Sequence, residues 1–321
     1  MHTIGTPVMW AAFTVIVIIA LAVDLFVLRS KGPHKVATSE ALWWSAAWVL
    51  LAMVFNAGLW WYLRGAIGHE EARQVALQFF TGYLVEKALA VDNIFVFLML
   101  FGYFAVPPVQ QQRALIYGII GAILLRAVMI FIGAALIQKF DWVLYIFGAF
   151  LVFTGVKMLW GVGDEPDISR NPLLGWIRKH LAVTSEYHGT RFMIRENGTR
   201  WFTPLFVVVI MIGITDVIFA VDSIPAIFAI TDDPFIVLTS NVFAVLGLRA
   251  LFFLLAGMAD KFHLLAYGLA TVLIFIGVKM LIAHFWHIPI GAALGVVALA
   301  IGISMVASVM FPPEKDGHGA G

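Results

Sequence analysis

The sequence predicts an all-α membrane protein with nine transmembrane helices and an inverted repeat of three helices each. Three observations carry this expectation. Hydrophobic residues make up 62% of the 321-residue chain and charged residues 12%, against about half and about a quarter in soluble domains. Apolar runs of about 20 residues, the length that crosses a bilayer core, recur along the chain. Three segments of the chain also return later, in the same order.

The runs place spans at roughly 7–28, 41–63, 75–104, 114–138, 141–160, 203–230, 235–258, 263–284 and 288–311. The first begins near the N-terminus but lacks the basic flank of a cleavable signal, so it reads as a retained helix. The third and sixth are longer than a span needs, so each is expected to tilt or break.

Lys and Arg in the connections set the orientation. With the N-terminus outside, the inner segments hold twelve of them, among them Arg29, Arg113, Arg178 and Lys261, and the outer ones hold only Arg64, Arg73 and Lys139. The expected orientation has the N-terminus outside and the C-terminus in the cytoplasm.

The long inner connection, 161–202, has two features. Leu173, Leu174, Ile177 and Leu181 share a helical face among basic residues, as in a helix lying on a membrane surface. Asn197-Gly198 between two β-prone runs signals a hairpin. Both can serve merely to anchor the loop.

The self-resemblance is specific. Glu86-Lys87-Ala88-Leu89-Ala90-Val91-Asp92-Asn93 matches Asp216-Val217-Ile218-Phe219-Ala220-Val221-Asp222-Ser223. Leu125-Arg126-Ala127 matches Leu248-Arg249-Ala250, and Gly155-Val156-Lys157-Met158-Leu159 recurs as Gly277-Val278-Lys279-Met280-Leu281. Each copy holds three spans, an odd number, so the second enters from the opposite side, as in many secondary transporters. The organisation is two helices in 1–74, a repeat in 75–160, the cytoplasmic loop in 161–202, the inverted repeat in 203–284, and a last helix and tail in 285–321.

Intramembrane carboxylates are costly and usually functional. Glu86, Asp92, Asp216 and Asp222 fall mid-span at matching positions of the two copies, with Asn93, Ser223 and Thr215 as neutral oxygens and Asn241 as a further lining candidate. Six residues separate the acids within each copy, which puts them about 120° apart on an ideal helix. An unbroken helix therefore cannot aim both at one atom. Pro225 removes the bond to the Val221 carbonyl and predicts a break near Asp222.

Arg126 and Arg249 are the expected counter-ions, with Lys87 ambiguous. Four ionised acids and two arginines leave about two negative charges, which a divalent cation or protons would neutralise. Hard oxygen donors without Cys or His favour Mg²⁺, Ca²⁺ or Mn²⁺. The bland alternative is that acids and arginines only hold the bundle together. Asp24 and Asn56 read as local hydrogen-bonders, and His284 and His287 as interfacial residues. A net charge of +1 gives no reason to expect a nucleic-acid partner, and the absence of cysteine excludes disulfides and thiolate sites. No P-loop, nucleophile elbow or H-E-x-x-H pattern points to an enzyme, and no bound cofactor is expected.

The two acidic segments, through Ile224-Pro225-Ala226 in the second, resemble the signature segments of the TerC/Alx family of bacterial inner-membrane proteins. The Asp233-to-Asn241 stretch looks closest to its Alx branch. The resemblance covers most of the chain and implies Mn²⁺ export, with the intramembrane acids as metal-binding candidates. The family's labels, tellurite resistance and alkaline induction, describe conditions more than an activity. A membrane scaffold for a stress-response complex, or a proton-coupled transporter of another solute, are the alternatives. Oligomeric state and coupling ion are not legible in the residues.

Overall fold

The computed structural model describes residues 3–31, 36–140, 142–160, 181–184, 186–189, 191–196, 199–256, 264–283, 285–286 and 288–311, leaving out the side chains of 27–31, 92 and 95. The surface-helix segment 172–180 and His284 and His287 lie outside the described residues.

Ten helices and one hairpin are described: α1 Pro7–Lys31, α2 Thr38–Ala66, α3 His69–Tyr103, α4 Pro108–Lys139, α5 Trp142–Trp160, β1 Met193–Glu196, β2 Thr199–Phe202, α6 Pro204–Phe228, α7 Pro234–Leu246, α8 Leu248–Ala256, α9 Leu265–Ile282 and α10 Ile290–Met310. Helices α4, α6 and α7 open on prolines, whose fixed φ suits a first turn and whose missing N–H would have no partner there. Asp233 caps α7, accepting from the backbone N–H of Phe235 and Ile236. The same carboxylate accepts from the Ile4 N–H at 2.6 Å and the Thr3 hydroxyl at 2.9 Å, tying the chain's first residues to the start of α7. The hairpin pairs antiparallel with Glu196 opposite Thr199, as Asn197-Gly198 predicts. The Tyr187 hydroxyl donates to the Phe104 carbonyl at 2.8 Å, which docks the loop beside the end of α3. Partial burial pushes that phenol up to about 12, so it stays a donor at neutral pH.

This is an all-α membrane protein. Among the described residues seven helices are long and apolar enough to cross a bilayer, and α7 with α8, bent by 41°, makes an eighth if taken as one span. Helix α3 is not among them. It is 35 residues long, about 50 Å, but Glu86, Lys87 and Asp92 lower its hydropathy.

Helix α6 runs without interruption to Phe228 with Pro225 inside it, so the break expected near Val221 to Pro225 does not form. Proline falls in the last turn, where it forfeits only the bond to Val221, and Val221 is exposed. The interruption lies at Gly247, between α7 and α8. A side chain at Gly247 would meet Lys87 Nζ at 2.8 Å and Trp48 Cβ at 2.9 Å.

Helices α5 and α9 make the most extensive contact, followed by α4 with α6 and α3 with α7. Gly148 lies against the Gly277 carbonyl, and Gly155 against that of Ala270. Contacts fall along α9 as they rise along α5, so the two helices run antiparallel. Small residues let their backbones approach closely, as lipid-embedded helices require.

Candidate functional site

The centre of the bundle is a buried ion cluster built on Arg126 of α4. Its Nε and Nη2 donate to the two oxygens of Asp216, at 2.9 and 2.8 Å. Its Nη1 pairs with Glu86 Oε1, with Asn241 Oδ1 at 3.3 Å and Ser223 Oγ at 3.4 Å completing the fork. Glu86, Arg126 and Asp216 are at most 2% exposed. One arginine thus joins the matching acids of the two sequence copies, through α3 and α6. Removal from water makes this affordable only because each charge meets another directly.

Beside the cluster lies a cavity of about 60 Å³ whose polar lining is Glu86, Asn93, Thr154, Asp222 and Ser223. That is room for a few water-sized particles. Thr154 of α5 donates to Asp222 Oδ1 at 3.3 Å. Glu86 Oε1 pairs with Arg126, its Oε2 is buried with no hydrogen-bond partner, and the residue forms part of the cavity wall. The carboxylates, hydroxyls and amide on this wall are hard donors, and the Met158 thioether is the one soft atom among the described lining.

Apart from Asp92, the expected acids and their polar neighbours have definite places. Glu86 and Asp216 meet at Arg126, and Asp222 with Glu86 lines the cavity. Asn93 and Ser223 line it too. Asn241 joins the arginine fork, with its Nδ2 unpartnered. Thr215 is half-buried and belongs to neither group. The side chain of Asp92 lies outside the described residues. Among the described residues no three acids or histidines converge as a metal cluster. Six residues along one continuous helix separate Asp216 from Asp222, and they face different partners, as the 120° offset requires.

Two of the expected counter-ions are engaged elsewhere. Arg249 pairs with Asp24 of α1, Nε to Oδ2 at 3.1 Å and Nη2 to Oδ1. Lys87 Nζ donates to the Ala244 carbonyl at 3.1 Å, placing a cation at the C-terminal end of α7 where the helix dipole favours one. Sequence reasoning left Asp24 as a local hydrogen-bonder and passed over Thr154. A lone intramembrane acid calls for a cation, and that rule signals Asp24. Thr154 has a fainter signal, a hydroxyl directly ahead of the recurring Gly-Val-Lys-Met-Leu, where the second copy has Ile276.

The model of the integral membrane protein TerC family matches residues 71–316, which include the arginine cluster and the cavity wall.

The chain belongs to the TerC family.

It is 53% identical over 316 residues to a Salmonella typhi protein named "Putative membrane-bound redox modulator Alx", covering 98% of each chain. The protein of that name from Escherichia coli K12 is 56% identical over 297 residues, covering 92% of each. An uncharacterized membrane protein of Myxococcus xanthus, STKORF319, is 46% identical over 308 residues, covering 96% of this chain and 94% of its own. No solved structure matches the chain. These TerC relatives match nearly end to end, so the membrane bundle and the cluster inside it lie within the shared length.

Proposed function

We propose that this TerC-family protein is a secondary transporter that exports Mn²⁺ across the bacterial inner membrane through its intramembrane acidic site, without enzymatic chemistry. The observation that carries the reading is the polar cavity shared by Glu86 and Asp222, held inside the membrane bundle beside the Arg126 clamp. With Arg249 engaged by Asp24, Glu86 and Asp216 share Arg126, while Asp222 is hydrogen-bonded to Thr154 with Lys157 near enough to act on its charge. If ionised, the three acids outnumber Arg126 by about two charges, only partly offset by Lys157, which suits a divalent ion with oxygen preferences. The choice of manganese among hard cations rests on the TerC/Alx resemblance.

The nine-span, inverted-repeat architecture belongs to this reading, and two features support it. Exchanging α3 with α6, α4 with α7–α8, and α5 with α9 turns the α3–α7 contact into the α6–α4 contact and leaves the α5–α9 contact unchanged. The antiparallel run of α5 against α9 is what inversion demands. Asp233 also holds Thr3 and Ile4, which puts the N-terminus and the start of α7 on one side of the membrane. An even number of crossings must separate them. Helices α1, α2, α4, α5 and α6 supply five, and α3 supplies the sixth.

The rival is a scaffold whose acids are structural, and the Arg126 clamp favours it for Glu86 and Asp216. It accounts less well for Asp222, which is hydrogen-bonded to Thr154 and lies outside the Arg126 clamp. The relatives' name invokes redox modulation. A chain with no cysteine has no thiol for such a role.

Asp92→Asn and Asp222→Asn are each expected to abolish Mn²⁺ flux in proteoliposomes while leaving the protein folded, because charge count governs affinity at oxygen sites and asparagine avoids the cost of a buried charge. Glu86→Gln and Asp216→Asn are expected to impair flux as well. Wild-type flux in both aspartate variants would leave the scaffold ahead.

A further inference from the structure

Leu89 and Phe219 occupy matching positions of the two sequence copies, as do Asn93 and Ser223, and both members of each pair line the cavity. The cavity therefore straddles the approximate axis that relates the copies. Glu86 and Thr154 lie to one side of it. Their counterparts, Asp216 and Ile276, are absent from its wall: Asp216 is clamped by Arg126 and Ile276 is packed in an apolar cluster. The two sides of the site thus differ in chemistry. One offers the partnerless Oε2 of Glu86, the Asp222 carboxylate and a hydroxyl. On the other, a methyl-bearing side chain stands where the hydroxyl would be.

We infer that Thr154 is a further cation ligand, contributed by the third helix of the first copy, and that its hydroxyl makes the two sides of the site unequal for a hard divalent cation. The inference rests on the cation-transport reading and deepens it. Glu86 is essentially inaccessible to solvent, so its unpartnered oxygen calls for a proton or a cation, and the second carboxylate on the same wall, Asp222, favours the cation. The Thr154–Asp222 bond is long for an O–H donor, at 3.3 Å, and the hydroxyl oxygen keeps lone pairs for a cation seated between the two side chains. Glu86, Asp222, Thr154, Asn93 and Ser223 then supply one oxygen each, and water in the remaining space completes an octahedral shell. In this arrangement Arg126 and Asp216 form a fixed counter-charge and do not ligate.

The test is Mn²⁺ binding to the purified full-length protein, followed by the EPR signal of free aqueous Mn²⁺, with flux measured in parallel in proteoliposomes. Thr154→Val keeps the shape and removes the oxygen, and should weaken binding by at least about tenfold. Thr154→Ser keeps the oxygen and should bind within about twofold of wild type, well short of that loss. Thr154→Ala removes the same oxygen and serves if the valine variant does not assemble. Wild-type affinity in a folded variant lacking the hydroxyl would overturn the inference, as would equal weakening by serine and valine, which would mark a packing role. Wild-type protein that neither binds nor moves Mn²⁺ would overturn the transport reading as well. Binding that is insensitive to Thr154 would overturn this inference alone.

Discussion

Arg126 holds Glu86 and Asp216 together where all three side chains are buried, so its removal is the most damaging single change available in the cluster. Arg126→Leu fills much of the volume but leaves two carboxylates buried without their cation. Breaking a buried pair by deleting one partner costs about 3–5 kcal/mol, and the variant should show this as a lower melting temperature and a smaller folded fraction on size exclusion. Wild-type melting would mean that Arg126 is dispensable to the cluster. Asp222→Asn differs, because its side chain is hydrogen-bonded to Thr154 and the cation that acts on it, Lys157, is exposed, so removal of the charge strands no buried cation. The two variants therefore separate a structural from a functional acid: one loses stability, the other flux with stability intact.

At the scale of helices, the α5–α9 contact is set by glycines. A Cβ at Gly277 would sit 2.7 Å from the Gly148 carbonyl oxygen and 2.8 Å from the Val152 backbone nitrogen, and backbone cannot rotate aside. Gly277→Ala should cost about 1–3 kcal/mol, the range for overpacking. Gly121→Ala in α4 meets nothing within 4 Å and should be neutral or stabilise slightly, since alanine is the better helix former. Thermal unfolding of the two variants in detergent compares them directly. Equal melting temperatures would mean that α5 and α9 can part without loss. The interruption at Gly247 follows similar logic, because Lys87 and Trp48 occupy the space a side chain would need.

For the whole molecule, the decisive quantity is the parity of membrane crossings. The proposed nine spans would put the termini on opposite sides, and a chain without cysteine allows single introduced cysteines to report alone. His2→Cys should react with a membrane-impermeant maleimide in cells whose outer membrane is permeabilised, and Asp316→Cys only after the inner membrane is disrupted. Labelling of both before disruption would remove α3 from the spans or reverse the positive-inside assignment. The Asp233 tether bears on the same question, because a hydrogen bond between residues 229 positions apart cannot cross hydrocarbon.

The sequence by itself determined the membrane class, the positions of most helices within a few residues (the third and fourth begin six residues earlier than expected), the hairpin around Asn197-Gly198 and the likeness of the two acidic segments. These are local or periodic properties: a long apolar run has one stable form in lipid, and a duplicated segment repeats its letters whatever it packs against. The offset between Asp216 and Asp222 was equally legible, since helix geometry fixes it. Partner choice was not. Which arginine meets which acid depends on helix rotation and approach, so only the tertiary structure gave Arg126 to both Glu86 and Asp216 and sent Arg249 to Asp24. The break moved from Pro225 to Gly247 for a related reason. Proline's missing N–H matters little in a last turn, whereas Gly247 sits where Lys87 and Trp48 arrive from other helices. Thr154 entered the cavity wall because α5 packs beside α6, a contact between residues 68 positions apart that no local pattern records.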